Sequence, residues 1–408
     1  MDARQDVGER KANLRLAALN PKYGKCASPR PFEIIVASAG TEEMSADVPV
    51  AWRVPLLVLA FASLFLGMAA GLARLGWLFP APVAELAALH GPLMACGFFG
   101  TVISLERAVA LSRRWGYFGP LLTGLGAAAG ILGAPFAIAP IMVAMGSAVL
   151  LAASLVFYWR QQERFTLTLA LGAACWVLGN LLWLAGRPIY LAVPFWIGFL
   201  VLTIAGERLE LSRVLPPSAV ARRVFVAAIL VLLAGIALSA FAWTAGTLLL
   251  GAGLLVLSLW LMRQDVARRT VRGRGLPRFI AVCLLTGYVW LALSGLSILV
   301  SGGLDYGGAS YDAALHAVLL GFVFSMVFGH APIILPAVLR VAVPYTPYFY
   351  LPLALLHVSL LIRLAGDWTT LAQWRAWGGA LNGLALLAFV LGTIAAVLRG
   401  LAKKKAGL

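Results

Sequence analysis

Charge is what this sequence has least of. Only 12% of its 408 residues are Asp, Glu, Lys or Arg, about half of the ~25% usual in a water-soluble domain. That deficit excludes an ordinary cytosolic enzyme, a disordered tail and a coiled coil. Cysteine is scarce too. Cys26, Cys96, Cys175 and Cys283 are too few and too scattered for a disulfide framework, and no CxxC occurs. CxxCH, P-loop, GxGxxG and HExxH motifs are all missing, so any haem is not attached through a CxxCH pair. Residues 1–52 have no apolar core of the signal-peptide kind.

Apolar residues, by contrast, are abundant: 62% of the chain is hydrophobic and the mean hydropathy is +0.93. Runs of about 20 apolar residues, enough to span a bilayer core, alternate with short polar loops. They cover 54–73, 84–105, 118–136, 138–158, 166–185, 189–206, 223–243, 245–262, 279–301, 311–336, 346–365 and 376–398. The expected fold is an all-α integral membrane domain over 53–400 with about twelve transmembrane helices. It is flanked by a flexible cytosolic tail, 1–52, and a basic cytosolic tail, 401–408. Met44 opens a shorter plausible chain, and residues 1–43 are assigned no function.

The net charge of +16 invites a nucleic-acid reading, which the placement of the basic residues removes. Of 32 Lys and Arg, 20 follow even-numbered runs and only Arg74, Arg187, Arg363 and Arg375 follow odd-numbered ones or sit at their outer ends. By the positive-inside rule both termini lie inside, the number of spans is even, and the protein is a multi-pass protein of the cytoplasmic (inner) membrane.

Runs 2, 6 and 10, all directed inward, share a pattern. Gly97-Phe98 precedes Glu106-Arg107, Gly198-Phe199 precedes Glu207-Arg208, and Gly321-Phe322 precedes His330, each with nine residues from glycine to Glu or His. The repeat suggests three four-helix units, with Glu106, Glu207 and His330 at one depth near the cytoplasmic surface. Ionisable groups there need partners. The polar cluster Glu106, Arg107, Glu207, Arg208 and His330 reads either as a cross-helix ion-pair lock or as a proton-entry or metal site.

All four histidines fall inside predicted spans. His90 and His316 precede their glycines by seven and five residues, so aligning the glycines leaves them only ~3 Å apart in depth. Two neutral imidazoles on facing helices suit the axial positions of a haem iron. His330 follows Met326 by one turn, a His/Met pair that suits copper(I), although His90 and Met94 share the spacing. His357 is a further haem ligand, a relay or a packing residue.

Twelve spans, an inside N-terminus and histidines near the outer ends of runs 2 and 10 resemble the catalytic subunit of haem–copper oxidases. The closer resemblance is to the NnrS family, carried by ALHGPLMACGFFGTVISLERAVAL (88–111), WIGFLVLTIAGERLELSRVL (196–215) and ALHAVLLGFVFSMVFGHAPIILP (314–336). It implies three four-helix arcs, a b-type haem between His90 and His316, possible copper, a link to nitric oxide, denitrification or respiratory stress, and a redox partner or respiratory complex in the bilayer. Runs 6 and 7 lack the histidine cluster of an oxidase copper site, which argues against that binuclear centre. NnrS proteins carry a doubled histidine on run 2, where this chain has His90 alone. The competing expectations are a proton-coupled secondary transporter and an assembly factor for a respiratory complex.

Overall fold

A computed structural model describes residues 47–212 and 217–405. Helices dominate, and no strand occurs among the described residues. The main helices, in chain order, are α1 Val50–Arg74, α2 Ala81–Leu111, α3 Phe118–Ile131, α4 Ile138–Arg160, α5 Arg164–Leu184 and α6 Ile189–Leu211. They continue with α7 Ala219–Ser239, α8 Trp243–Gln264, α9 Gly275–Val300, α10 Ala309–Leu339, α11 Pro347–Thr369 and α12 Ala372–Lys405. Eleven of these are long and apolar enough to cross a membrane, against about twelve expected; the 14-residue α3 is the one that falls short. The chain is an all-α, multi-pass membrane protein.

α3 differs from expectation. It stops at Ile131 instead of running to 136, because Gly133 takes a left-handed conformation (φ 71°) and Pro135 follows. Ala134 N–H then closes back on the Ala129 carbonyl, a glycine-type helix stop. Both predicted tails are also corrected at their inner edges. Helix begins at Val50 and continues to Lys405, so 50–52 and 401–405 belong to α1 and α12; residues 1–46 and 406–408 lie outside the described residues.

Consecutive helices pack side by side, and α12 returns to α1. α6 is the most enclosed, with 83% of its apolar window buried against 33% in α1 and α12. Small residues on α7 and α8 (Gly235, Gly246, Gly253) leave no room for a side chain between the two backbones, the usual device for close helix approach in lipid. The centre between α2, α5 and α6 holds Trp176, Trp196 and Phe199, all essentially inaccessible.

One end of the bundle is tied by Arg53, which is 1% exposed. Its guanidinium donates to the Val338 carbonyl of α10 (2.9 Å) and the Val48 carbonyl (3.1 Å), and pairs with Asp47. Tyr117, just before α3, donates to the same Asp47 (2.7 Å). Burial, reinforced by that carboxylate, pushes the Tyr117 phenol above its usual range.

Candidate functional site: a pair of imidazoles and two charge networks

α2 and α10 depart from regular α-helix in the same way. Each contains an eight-residue π-helical stretch, Leu93–Gly100 in α2 and Ala317–Phe324 in α10. The Gly-Phe pair occupies the fifth and sixth positions of both. π-helical turns are rare and concentrate at functional sites because they re-aim the side chains around them.

Each stretch lies just after a histidine, and the two histidines meet. The rings of His90 and His316 lie nearly parallel (12°) with centres 6.3 Å apart. Eight residues further along each helix, Phe98 and Phe324 face each other with centres 5.9 Å apart and planes 4° apart. The in-phase partners are therefore 90 with 316 and 98 with 324. This removes the two-residue slip implied by aligning glycines, and places the histidines directly opposite.

Both rings are held from behind. His90 Nδ1 is 2.7 Å from the Gly67 carbonyl, and His316 Nδ1 is 2.8 Å from the Asp312 carbonyl. A carbonyl only accepts, so each Nδ1 carries the proton and each Nε2 keeps its lone pair. α1 makes the room: a Cβ at Gly71 would sit 2.8 Å from the His90 ring. Fixing one ring nitrogen by a hydrogen bond while freeing the other is how ligand imidazoles are oriented in metal sites.

Behind His316 stands a charge network that the sequence reading missed. The Asp312 carboxylate lies 3.4 Å from His316 Nδ1. Arg363 of α11 holds it with two bonds of 3.0 and 3.2 Å, and Arg375 of α12 comes within 3.3 Å. Arg375 also pairs with the buried Asp367 (2.9 Å). A signal was present: Arg363 and Arg375 are two of the four basic residues on the poorly basic side, and Asp312 is one turn before His316.

The opposite end of the bundle carries a second network. Arg208 of α6 makes a two-pronged pair with Asp265 (2.7 and 3.1 Å), and Tyr288 of α9 donates to the same carboxylate (2.6 Å). Arg208 also points a donor at His330 Nε2 (3.4 Å), whose Nδ1 donates to the Met326 carbonyl (2.7 Å). The sequence pointed to cross-helix neutralisation between the two Glu-Arg pairs; Arg208 instead takes Asp265, at the end of α8. Arg107 lies over the Phe157 ring at 5.4 Å. Glu106 and Glu207 lie within each other's electrostatic field, with Arg107 and Arg208 as the nearby cations. The guanidinium beside His330 stands where a cation on Nε2 would need to be. The Met326 methyl is turned to Gly287 of α9.

His357 belongs to neither group. Trp290 donates to its Nδ1 (2.9 Å), and its Nε2 donates to Thr286 (3.0 Å). Both ring nitrogens are therefore engaged with α9. No cluster of three or more His, Cys, Asp or Glu arranged for a metal occurs among the described residues. On α6, Trp196 donates to Asn180 (3.0 Å), and Cys96 shares that acceptor (3.3 Å).

Fold and site together define a polytopic all-α membrane protein with paired imidazoles at one end and a buried arginine–aspartate lock at the other. Residues 53–398 match the family described as "Domain of unknown function (DUF8744)", and the chain belongs to that family. No curated protein matches it in sequence.

Proposed function

We propose that this is a haem-binding membrane protein of NnrS-like, haem–copper-oxidase-like type, with a b-type haem between His90 and His316. The spacing of the two rings carries the reading. For two rings that point their Nε2 atoms at one metal, a metal–nitrogen bond of ~2 Å on each side, plus ~1 Å from each nitrogen to its ring centre, gives a separation near 6 Å, and the ring centres lie 6.3 Å apart. The retained lone pair on each Nε2 supplies the donor chemistry. Haem held by His90 and His316 would supply one-electron transfer or sensing. The chain's own part is to hold both rings, through Gly67 and the Asp312 carbonyl, and to set the charge behind His316 through Asp312, Arg363 and Arg375.

The termini are placed in the cytoplasm and the imidazole pair near the outer face of the inner membrane, a reading that rests on the bias of Lys and Arg. An outward haem suits exchange of electrons with a redox partner or respiratory complex. The link to nitric oxide or respiratory stress follows from the resemblance to NnrS proteins. A copper centre at His330 is not part of the proposal, because Arg208 faces that ring.

Haem content of detergent-purified protein, expressed with ample haem, tests the proposal. About one haem per chain is expected, falling to near none in His90→Ala and in His316→Ala. A haem-free wild type, or unchanged content in both variants, overturns it. Glu106 and Glu207, two carboxylates in one field among apolar helices, favour a proton-coupled carrier as the second reading. Proton-driven uptake by haem-free protein in proteoliposomes would establish that instead.

A further inference from the structure

Positive charge is concentrated where α7 begins and α8 ends. Arg222 and Arg223 lie in the first turns of α7, Arg263 in the last turn of α8, and Arg268, Arg269 and Arg272 in the connection from α8 to α9. All six are exposed. Between 217 and 273 the one acidic residue is Asp265, whose carboxylate is buried in the lock with Arg208. The ion pairs among the described residues involve none of the six arginines.

The surface that carries them is built from the core outward. The Asp265 carboxylate accepts the Ala267 N–H (2.8 Å) while it holds Arg208, which fixes the single helical turn Ala267–Thr270 against the lock. Val271 N–H to the Ala267 carbonyl (2.9 Å) extends that turn towards Arg272. α7 is pinned to α8 at the neighbouring level. Trp260 Nε1–H donates to the Ala221 carbonyl (2.7 Å), and its ring packs on Phe225 with centres 4.7 Å apart. Arg222 and Arg223 directly follow Ala221, and Arg263 is three residues past Trp260, so two distant parts of the chain present arginines at nearby depths. Arg222 and Arg268 each use one N–H on a carbonyl of their own segment (2.9 Å each).

Like charges fixed on one surface repel one another and attract anions. The positive-inside rule accounts for which end of the bundle is basic. It does not account for six arginines meeting at one helix pair, when the connection after α10 carries Arg340 alone. Guanidinium groups bind phosphodiesters through paired hydrogen bonds. Deeper in the membrane from the arginines, α7 and α8 expose Val224, Leu230, Val256 and Leu259, an apolar surface on which acyl chains can lie. We propose that this end of α7 and α8, with the connection that follows, is a binding site for an anionic phospholipid with two phosphodiesters, of the cardiolipin type. One phosphate is met by Arg222, Arg223 and Arg263, the other by Arg268, Arg269 and Arg272. A nucleic acid would satisfy the arginines and leave the apolar surface beside them uncovered. The site is independent of haem.

Native mass spectrometry of the delipidated full chain in detergent, titrated with tetraoleoyl-cardiolipin, tests it. Saturable binding is expected, with phosphatidylglycerol, which has one phosphodiester, bound about tenfold or more weakly. Affinity for cardiolipin should fall about tenfold or more in Arg268→Gln/Arg269→Gln/Arg272→Gln and about threefold or more in Arg222→Gln/Arg223→Gln. The substituted side chains are exposed, and a size-exclusion profile like that of wild type checks that each variant is folded. Arg113→Gln/Arg114→Gln/Arg399→Gln removes equal charge from exposed positions elsewhere on the basic end and should bind within about twofold of wild type. No saturable binding, equal affinity for cardiolipin and phosphatidylglycerol, unchanged affinity in either site variant, or an equal loss in the Arg113/Arg114/Arg399 variant overturns the proposal. Displacement of the bound lipid by single-stranded RNA would assign the surface to nucleic acid and overturn it as well.

Discussion

Asp312 does two separable jobs. Its backbone carbonyl orients His316, and its carboxylate neutralises Arg363 and Arg375. Asp312→Ala keeps the first and removes the second, leaving the nearly buried Arg363 without its partner. Breaking a buried pair on one side typically costs about 3–5 kcal/mol, so thermal unfolding should occur at markedly lower temperature, with His316 still able to bind. Asp312→Asn is the milder variant. It removes the negative charge next to the ligand ring, lowering the basicity of that ring, and should raise the haem midpoint potential while leaving haem content unchanged. A redox titration identical to wild type would contradict that role. His357→Leu should retain full haem content, because both ring nitrogens already serve α9. Sequence reasoning found the histidines because imidazoles stand out in apolar spans. It passed over Asp312, Arg363 and Arg375 because a lone charge near a helix end reads as solvated until its partners, 51 and 63 residues away, are seen to converge on it.

At the scale of elements, hydropathy located the spans well. Their apolar length is set by the bilayer and needs no tertiary information. α3 was the exception because a composition window runs straight through Gly133, whereas the backbone does not. The π-helical stretches were not legible at all. Nothing in LMACGFFG or AVLLGFVF marks an i to i+5 pattern, and the repeated Gly-Phe pair suggested only equal depth. Each stretch can be treated as an α-helix carrying an extra residue. Deleting Leu319 should restore regular α-helix with His316 still facing His90, because the π stretch absorbs its extra residue without re-phasing the helix on either side. The expected result is a folded protein that keeps its haem, checked by size-exclusion profile and haem content together. A folded deletion variant without haem would show that the extra residue itself is needed to aim the ligand.

At the scale of the whole molecule, the two networks mark opposite ends of one bundle. Arg53, Arg208 and Asp265 draw together the starts or ends of α1, α6, α8 and α10; Asp312, Arg363 and Arg375 do so for α10, α11 and α12. Cys96, Cys175 and Cys283 are buried, which makes orientation accessible to labelling in a Cys26→Ser background. Ser301→Cys should react with a membrane-impermeant maleimide in intact cells and Ser218→Cys only after lysis; the reverse would invert the proposed topology. The central claim is that His90 and His316 clasp one haem, and electron paramagnetic resonance of the oxidised protein tests it most directly. The account predicts a low-spin, six-coordinate ferric haem at one per chain, lost in His90→Ala and in His316→Ala and retained in His357→Leu. A high-spin signal in the wild type, or a low-spin signal that survives both single-histidine variants, would contradict it.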